Sequence, residues 1–214
     1  MTAAEIEDAV SGVGLEPLAA GIADKFQIYL DLLQKWNARL NLTAIRDPEK
    51  ILQRHFIECI FAAQHLPGQI QSLLDFGSGG GFPGIPIALC RPEIHVTLGE
   101  SQSKKATFLR EAIRTLGLEN AEVYNGRVER LRRTFKAVTL RAVDKMQEAC
   151  QIAVGNVAPG GYFVLFVTED TSLALVSEFD QIDWASPVLL PGSSQRLLLI
   201  GRSSIDVPRG TSIP

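Results

Sequence analysis

Cysteine is scarce in this 214-residue sequence, and its placement excludes two common structural uses of that residue. Cys59, Cys90 and Cys150 are odd in number, widely spaced and never part of a C-x-x-C pair. We therefore expect buried thiols in a reducing compartment, with neither a disulfide framework nor a metal site. Long apolar runs are also missing, because no stretch approaches the roughly 18 residues of a membrane span. The first twelve residues carry acids where a signal peptide carries lysines, which predicts a cytoplasmic protein without a membrane partner.

The chain as a whole carries no excess of positive charge, but one segment of it does. The net charge is −3 and the isoelectric point is near 5.7. Residues 104–145 nevertheless contain eleven Lys and Arg against five acids, a balance of +6, which leaves −9 for the rest. This asymmetry predicts either one basic surface on an acidic body or ordinary solvated charges, and the sequence leaves both open.

The first 66 residues carry helical patterns. Residues 25–40 place apolar side chains three and four positions apart, as an amphipathic helix requires. Those side chains are Phe26, Tyr29, Leu30, Leu33, Trp36 and Leu40. A second helix is predicted to follow Asp47 as N-cap and Pro48 as first helical residue. We expect a helical cap over residues 1–66, a main domain over 67–205 and a disordered tail over 206–214.

From Ser72 onward, short apolar runs alternate with helical stretches, a pattern typical of a doubly wound parallel sheet. Pro191 and Gly192 separate the last two apolar runs and predict a closing hairpin. The predicted strands are SLLDF, HVTLGE, AEVYN, KAVTLRAV, GGYFVLFV and the two arms of SPVLLPGSSQRLLLIGR. Four or five parallel strands and the hairpin form the expected main domain.

The segment LLDFGSGGGFPGIP, residues 73–86, contains five glycines directly after the first predicted strand. A strand that ends in such a turn and opens into a helix brings backbone N–H groups close to a ligand. A nucleoside triphosphate is excluded, because the required Gly-Lys-Ser/Thr ending is absent and no lysine occurs between Lys50 and Lys104. The dinucleotide pattern matches at Gly79, Gly81 and Gly84, but Pro83 would then occupy the phosphate cradle without an N–H to donate.

The remaining ligand is S-adenosylmethionine, whose amino group and sulfonium are positively charged. We expect Asp75 at the mouth of the turn, where it favours a cation and repels a pyrophosphate, with Gly77 and Gly79 against the adenosine. Glu100, at the end of the next strand, is placed to accept both ribose hydroxyls. A carboxylate in that place fits an NAD enzyme equally well. A merely tight turn beside a solvated Glu100 also remains open.

Two further strand ends point to the same crevice, because ligands of open parallel sheets lie at the carboxyl ends of the strands. The turn at residues 126–129 follows the third predicted strand, and Arg141 follows the fourth. We interpret Arg141 as a contact to cofactor or substrate, with a plain surface position as the alternative.

The sequence resembles a known family, the bacterial small-subunit ribosomal RNA guanine-N7 methyltransferases, also called glucose-inhibited division protein B. The likeness spans almost the whole chain. It depends on KWNARLNLTAIRDPEKILQRHFIE, LLDFGSGGGFPGIPIAL, LGESQSKKATFLREAIRTLGLEN, GRVERL, LRAV and APGG. The sequence departs from the family pattern at two places. The family usually has Asp-Ser where this chain has Glu58-Cys59, and it usually has Lys-Gly near Thr168, where this chain reads FVTEDTS.

The resemblance implies a Rossmann-like class I methyltransferase fold with a mostly parallel seven-stranded sheet. It also implies methyl transfer from S-adenosylmethionine to N7 of one guanine, position 527 of 16S rRNA in the 30S subunit, by a protein expected to be a monomer. The cofactor contacts it implies are Gly77, Phe82, Val128, Glu129 and Arg141.

N7 of guanine carries a free lone pair, so we expect alignment rather than a catalytic base. The sequence identifies no catalytic residue. Phosphate neutralisation is predicted from Arg54, His55, Lys104, Lys105, Arg127 and Arg130. Arg132 and Arg133 are further candidates, Phe82 is a candidate plane for an unstacked base, and an ordinary helix-surface position is the alternative for His55. The alternatives are a methyltransferase acting on a small molecule or protein, and a non-catalytic module that binds NAD or an adenine nucleotide.

Overall fold

A computed structural model describes residues 1–143 and 145–204. Its helices are α1 Ala3–Gly12, α2 Ile22–Leu40, α3 Pro48–Ile51, α4 Glu58–His65, α5 Gly84–Cys90, α6 Ser103–Leu116, α7 Met146–Ala153 and α8 Glu169–Glu178. Its strands are β1 Ser72–Phe76, β2 His95–Glu100, β3 Ala121–Asn125, β4 Phe135–Arg141, β5 Val157–Thr168, β6 Ile182–Trp184, β7 Val188–Leu189 and β8 Arg196–Ser203. A π-helical turn, Leu52–Ile57, joins α3 to α4. The predicted disordered tail lies outside the described residues.

The strands form one mostly parallel sheet in the order β3-β2-β1-β4-β5-β8-β6. Strands β1 to β5 are parallel, and β8 runs antiparallel to β5. The predicted hairpin is confirmed by the pairing of Val188 with Leu198, which places β7 on β8. Strand β6 was not predicted: its three residues pair with the far end of β8, where Trp184 lies opposite Gly201. The predicted α/β class and mostly parallel sheet are therefore confirmed, but the sheet of the described residues has eight strands rather than seven, because β6 extends it beyond β8.

Two of the cap helices, α1 and α3, begin at side chains that cap them. The Thr2 hydroxyl and the Glu5 carboxylate form a capping box at the start of α1. Asp47 caps α3, accepting a hydrogen bond of 2.9 Å from the backbone N–H of Lys50, and Pro48 follows it as predicted. Helix α2 ends at Asn41, which has a left-handed backbone with φ 47°. The short loop after Asn41 leads back over the sheet.

The cap and one face of the sheet share a single apolar core. Phe56 lies 5.0 Å from Phe26 and 5.4 Å from Tyr29, and the Tyr29 ring lies 5.5 Å from Phe82 of the glycine turn. Helices α7 and α8 cover the other face through a separate cluster. The cap is thus packed directly on the turn that follows β1, and the domain boundary at residue 66 stays a prediction.

Within residues 1–143 and 145–204, no helix combines the length and the apolar character that crossing a bilayer requires.

Candidate active site

A cleft of about 620 Å³ opens at the carboxyl ends of β1, β2 and β4. The order of the strands reverses between β1 and β4, and this is where open α/β sheets bind their ligands. The cap supplies the opposite wall through residues 41–45, Arg54 and His55. Of the predicted cofactor residues, Gly77, Gly79, Phe82, Glu100 and Arg141 line the cleft.

The glycine turn is fixed by hydrogen bonds to the neighbouring strand. Gly77 has φ +73°, and a Cβ there would lie 2.8 Å from a methyl group of Val143, so only glycine fits. The backbone N–H of Gly79 donates to Oε2 of Glu100 at 3.0 Å, and that of Gln102 donates to Oε1 at 2.7 Å. The carboxylate of Glu100 is therefore held in place by backbone on both sides of the cleft. Its remaining lone pairs can still accept hydrogen bonds from a ligand.

Asp75 does not lie at the mouth of the turn, which corrects the sequence-based expectation. Its side chain is fully buried and does not line the cleft. It accepts hydrogen bonds of 3.1 Å from the backbone N–H of Gly84 and from the hydroxyl of Thr139. Burial raises the pKa of Asp75 to about 6. Asp75 thus fastens the turn and α5 to β4 from below, because it occupies an interior position of β1 rather than its end.

Arg141, at the end of β4, forms the wall between the sheet and the cap. Its guanidinium lies 5.4 Å from the ring of Phe166 and 5.9 Å from that of Phe82, so it is flanked by two aromatic faces. It donates from Nη1 to Nδ1 of His55 at 3.0 Å and from Nη2 to Oε2 of Glu58 at 2.8 Å. Arg141 is therefore a fixed part of the cleft wall rather than a plain surface residue.

The protonation of His55 follows from its partners. Burial, together with Arg141 and Arg54, lowers the pKa of His55 to about 3, so the ring is neutral near pH 7. Arginine can only donate, so Nδ1 accepts from Arg141 and the proton resides on Nε2. Nε2 lies 2.7 Å from the hydroxyl oxygen of Thr43, to which it donates. Both ring nitrogens are used inside the protein, which argues against the predicted contact of His55 with RNA.

A second cavity, of about 240 Å³, adjoins the cleft at the ends of β4 and β5. The two cavities share Arg54, Arg141 and Ala142. Sequence reasoning missed its main residues, Glu58 and Arg196. One signal was available for Arg196: the antiparallel arm of the predicted hairpin has to begin at the edge where the parallel strands end.

Most of the other predicted site residues do not line the cleft. Val128 is buried against Gly99 and does not line the cleft. Glu129, Arg127 and Arg130 are exposed in the β3–β4 connection. Lys105 lines the cleft from α6. Lys104, its neighbour on α6, is exposed.

The described part of the chain contains no group of three or more His, Cys, Asp or Glu that could hold a metal ion.

Solved structures define the class of this fold. The cofactor-bound protein Rv0187 from MTB superposes with a TM-score of 0.64 at 18% identity, covering 92% of this chain and 95% of that one. A SAM-dependent methyltransferase from Aquifex aeolicus gives a TM-score of 0.59 at 15% identity, covering 81% and 98%. With its sheet order and its bare turn after β1, the protein has the Rossmann-like methyltransferase fold.

Sequence relatives define the family. A family model described as rRNA small subunit methyltransferase G, GidB, matches residues 22–179. The ribosomal RNA small subunit methyltransferase G of Neisseria meningitidis serogroup B is 39% identical over 155 residues, 72% of this chain and 74% of that protein. The protein of the same name from Chromobacterium violaceum is 36% identical over 193 residues, 88% and 91% of the two chains. The chain belongs to the GidB family of rRNA small subunit methyltransferases G.

Proposed function

We propose that this protein transfers a methyl group from S-adenosylmethionine to N7 of guanine 527 in 16S rRNA, acting in the cytoplasm on the small ribosomal subunit. The observation that carries the proposal is the pairing of the bare backbone of residues 77–80 with the Glu100 carboxylate at the switch point of the sheet. Family membership adds the RNA substrate, since the relatives are named for it.

The cleft residues fit the cofactor in three respects. The turn after β1 contains no Lys or Arg to hold a pyrophosphate, and the N–H of Gly79 is bonded to the Glu100 carboxylate. Glu100 is 5% exposed and has lone pairs left for the two ribose hydroxyls. Gly79 is in open surroundings, where an added Cβ would meet only the Gly77 carbonyl oxygen, at 3.8 Å. An adenosine can thus lie on the turn with its ribose on Glu100.

The cofactor supplies a methyl group on a positively charged sulfur, and the lone pair of guanine N7 takes it without prior loss of a proton. The chain's own contribution is alignment and exclusion of water. Among the described cleft residues, the groups that could act as a base are already engaged: His55 is neutral with both nitrogens bonded, and Glu100 holds two backbone N–H groups. This supports the expectation of a reaction without a catalytic base.

The cationic residues near the cleft support an RNA substrate. Arg54 and Lys105 line the cleft. Lys104, Arg127 and Arg130 are exposed and belong to the basic segment 104–145. We propose that these side chains neutralise phosphates of the rRNA. Methylation should then weaken as salt rises from about 50 to 200 mM, because each phosphate contact releases counterions.

The ligand assignment is tested by calorimetry on wild type and Glu100→Gln. Wild type should bind S-adenosylmethionine and not NAD. The variant should lose affinity about 10-fold or more, because a charge-assisted hydrogen bond contributes about 1.5–3 kcal/mol. Glu122→Gln, a partly exposed position on β3, is the matched control and should bind as wild type does. Binding of NAD without S-adenosylmethionine would contradict the proposal.

The RNA substrate is tested by mass spectrometry of 16S rRNA from a strain lacking this gene, which should show one guanine lighter by a methyl group. In vitro, purified 30S particles should be methylated and free nucleosides should not. Activity on a small molecule or a protein alone would favour the alternative function.

A further inference from the structure

One buried carboxylate holds three arginines beside the cofactor cleft. Glu58 is 1% exposed, and its Oε1 lies 2.6 Å from Nη2 of Arg196 and 3.4 Å from Nε of Arg54. Its Oε2 lies 2.8 Å from Nη2 of Arg141. The four residues come from the cap, β4 and β8, which are far apart in sequence. Three guanidinium groups around one carboxylate leave a net charge of +2.

This charge faces the 240 Å³ cavity, which we call the arginine pocket and which Arg54, Arg141, Arg196 and Phe166 help to line. Within the described residues, Nη1 of Arg196 and both Nη groups of Arg54 have no protein acceptor. The side chain of Arg196 is 25% exposed and that of Arg54 46%, so both reach solvent. The pocket therefore presents surplus N–H donors and positive charge to a ligand.

The size and position of the arginine pocket suit the phosphate group of one nucleotide, with the rest of the nucleotide reaching towards the cleft. Its volume is below the ~300–1,000 Å³ usual for whole small-molecule sites, so it accepts a single flat group or a phosphate. It shares Arg54, Arg141 and Ala142 with the cofactor cleft, so a group held here lies beside a bound cofactor. Phe166 and the Arg141 guanidinium, which pack against each other, form the wall of the pocket on the side of the cleft.

Resting on the function proposed above, we propose that the arginine pocket holds the nucleotide to be methylated, with Arg196 and Arg54 bound to its phosphodiester. The net charge of +2 on this cluster favours binding of the nucleotide's phosphate over binding of the base edge alone. Methylation at N7 leaves a positive charge on the guanine, and a bare +2 cluster beside it would oppose that change. A phosphodiester bound to the cluster offsets the repulsion. The forked donors of arginine match phosphate oxygens.

The test compares Arg196→Gln with wild type in methylation of 30S particles at several salt concentrations. The variant should raise KM for 30S about 10- to 100-fold, as expected for a lost charge-assisted hydrogen bond. Its plot of log KM against log salt should be flatter by about 0.7–0.9, the slope of one phosphate contact. Affinity for S-adenosylmethionine should not change. Arg202→Gln, an exposed position on the same strand, should match wild type in every measurement.

Arg196→Gln removes an ion-pair partner of Glu58 and can therefore lower stability. A second variant tests the proposal with all the Glu58 ion pairs in place. Thr171→Asp adds a negative charge to the wall of the arginine pocket without touching Glu58, and it should raise KM about threefold or more by repelling phosphate. Unchanged salt slope in Arg196→Gln and unchanged KM in Thr171→Asp, with an active wild type, would overturn this inference alone. Wild type inactive on 30S would instead refute the proposed function.

Discussion

The cofactor cleft and the arginine pocket lie side by side and share Arg54 and Arg141, yet they are built in opposite ways. The floor of the cleft is the backbone of one short turn, residues 77–80, with a single carboxylate from the next strand. The arginine pocket is made of side chains from the cap, β4, β5 and β8, and its arginines from the cap, β4 and β8 pair with Glu58. Backbone geometry defines the first site, and long-range ion pairing defines the second.

The contrast shows how the two sites respond to change. The turn is held mainly by hydrogen bonds to the neighbouring strand β2, together with one from the Tyr29 hydroxyl of α2 to the Gly80 carbonyl. The arginine pocket depends on the cap being docked, because Arg54 and Glu58 reach it only from the cap. Docking of the cap therefore couples the two cavities.

Of the substitutions considered, Glu58→Ala should lower the free energy of unfolding most, because it removes the carboxylate at the centre of the arginine pocket. The substitution leaves Arg141 and Arg196 without their buried partner, and breaking a buried ion pair costs about 3–5 kcal/mol. The free energy of unfolding from urea titration should fall by about that amount. Glu148→Ala, which removes an exposed pair with Lys145, should lose under about 1 kcal/mol. Equal losses in both variants would show that Glu58 does not hold the cap in place.

The same contrast explains what the sequence could reveal. The parallel strands, the hairpin, Asp47 as N-cap and the placement of Glu100 follow from patterns within a few dozen residues, and the structure bears them out. The predicted position of Asp75 at the mouth of the turn was wrong, because the alternation of side chains along a strand does not show which of them is buried beneath the following turn. Glu58 lies in an apolar helix pattern, and its arginine partner Arg196 is 138 residues away, so no local signal joins them.

The pH dependence of stability should distinguish the buried base of the turn from the cap wall of the cleft, because Asp75 and His55 have pKa values shifted in opposite directions across the acidic range. Burial raises the pKa of Asp75, under the turn, from 3.8 to about 6, so its contribution makes the free energy of unfolding fall as pH rises through this window. Burial lowers the pKa of His55, in the cap wall of the cleft, from 6.5 to about 3, so its contribution to the free energy of unfolding rises with pH. Between about pH 4 and 6 the two slopes oppose each other, each at most about 1.4 kcal/mol per pH unit.

Single substitutions should uncover each slope. Urea unfolding of Asp75→Asn at pH 4, 5 and 6 should show stability rising relative to wild type, by about 2 kcal/mol over the two units. His55→Gln should show the opposite trend of similar size. Other carboxylates contribute to all three proteins alike, so the difference from wild type isolates each group. Parallel curves for wild type and both variants would mean that neither group is shifted in the native protein.

The smallest expected effects come from alanine substitutions at two glycines of the turn segment. Gly79 lines the cleft, whereas Gly84 faces the core. A Cβ on Gly84 would collide with Leu98 and lie 2.7 Å from an Asp75 carboxylate oxygen, so Gly84→Ala should lose about 1–3 kcal/mol of stability through overpacking. A Cβ on Gly79 meets only an oxygen at 3.8 Å, so Gly79→Ala should lose only the roughly 1 kcal/mol of a left-handed backbone at φ +55°. Calorimetry should then show the reverse order for S-adenosylmethionine, with Gly79→Ala the weaker binder, because Gly79 lines the cleft and Gly84 faces the core. If Gly84→Ala proved the weaker binder at equal folded fraction, the cofactor would contact the start of α5 rather than the turn.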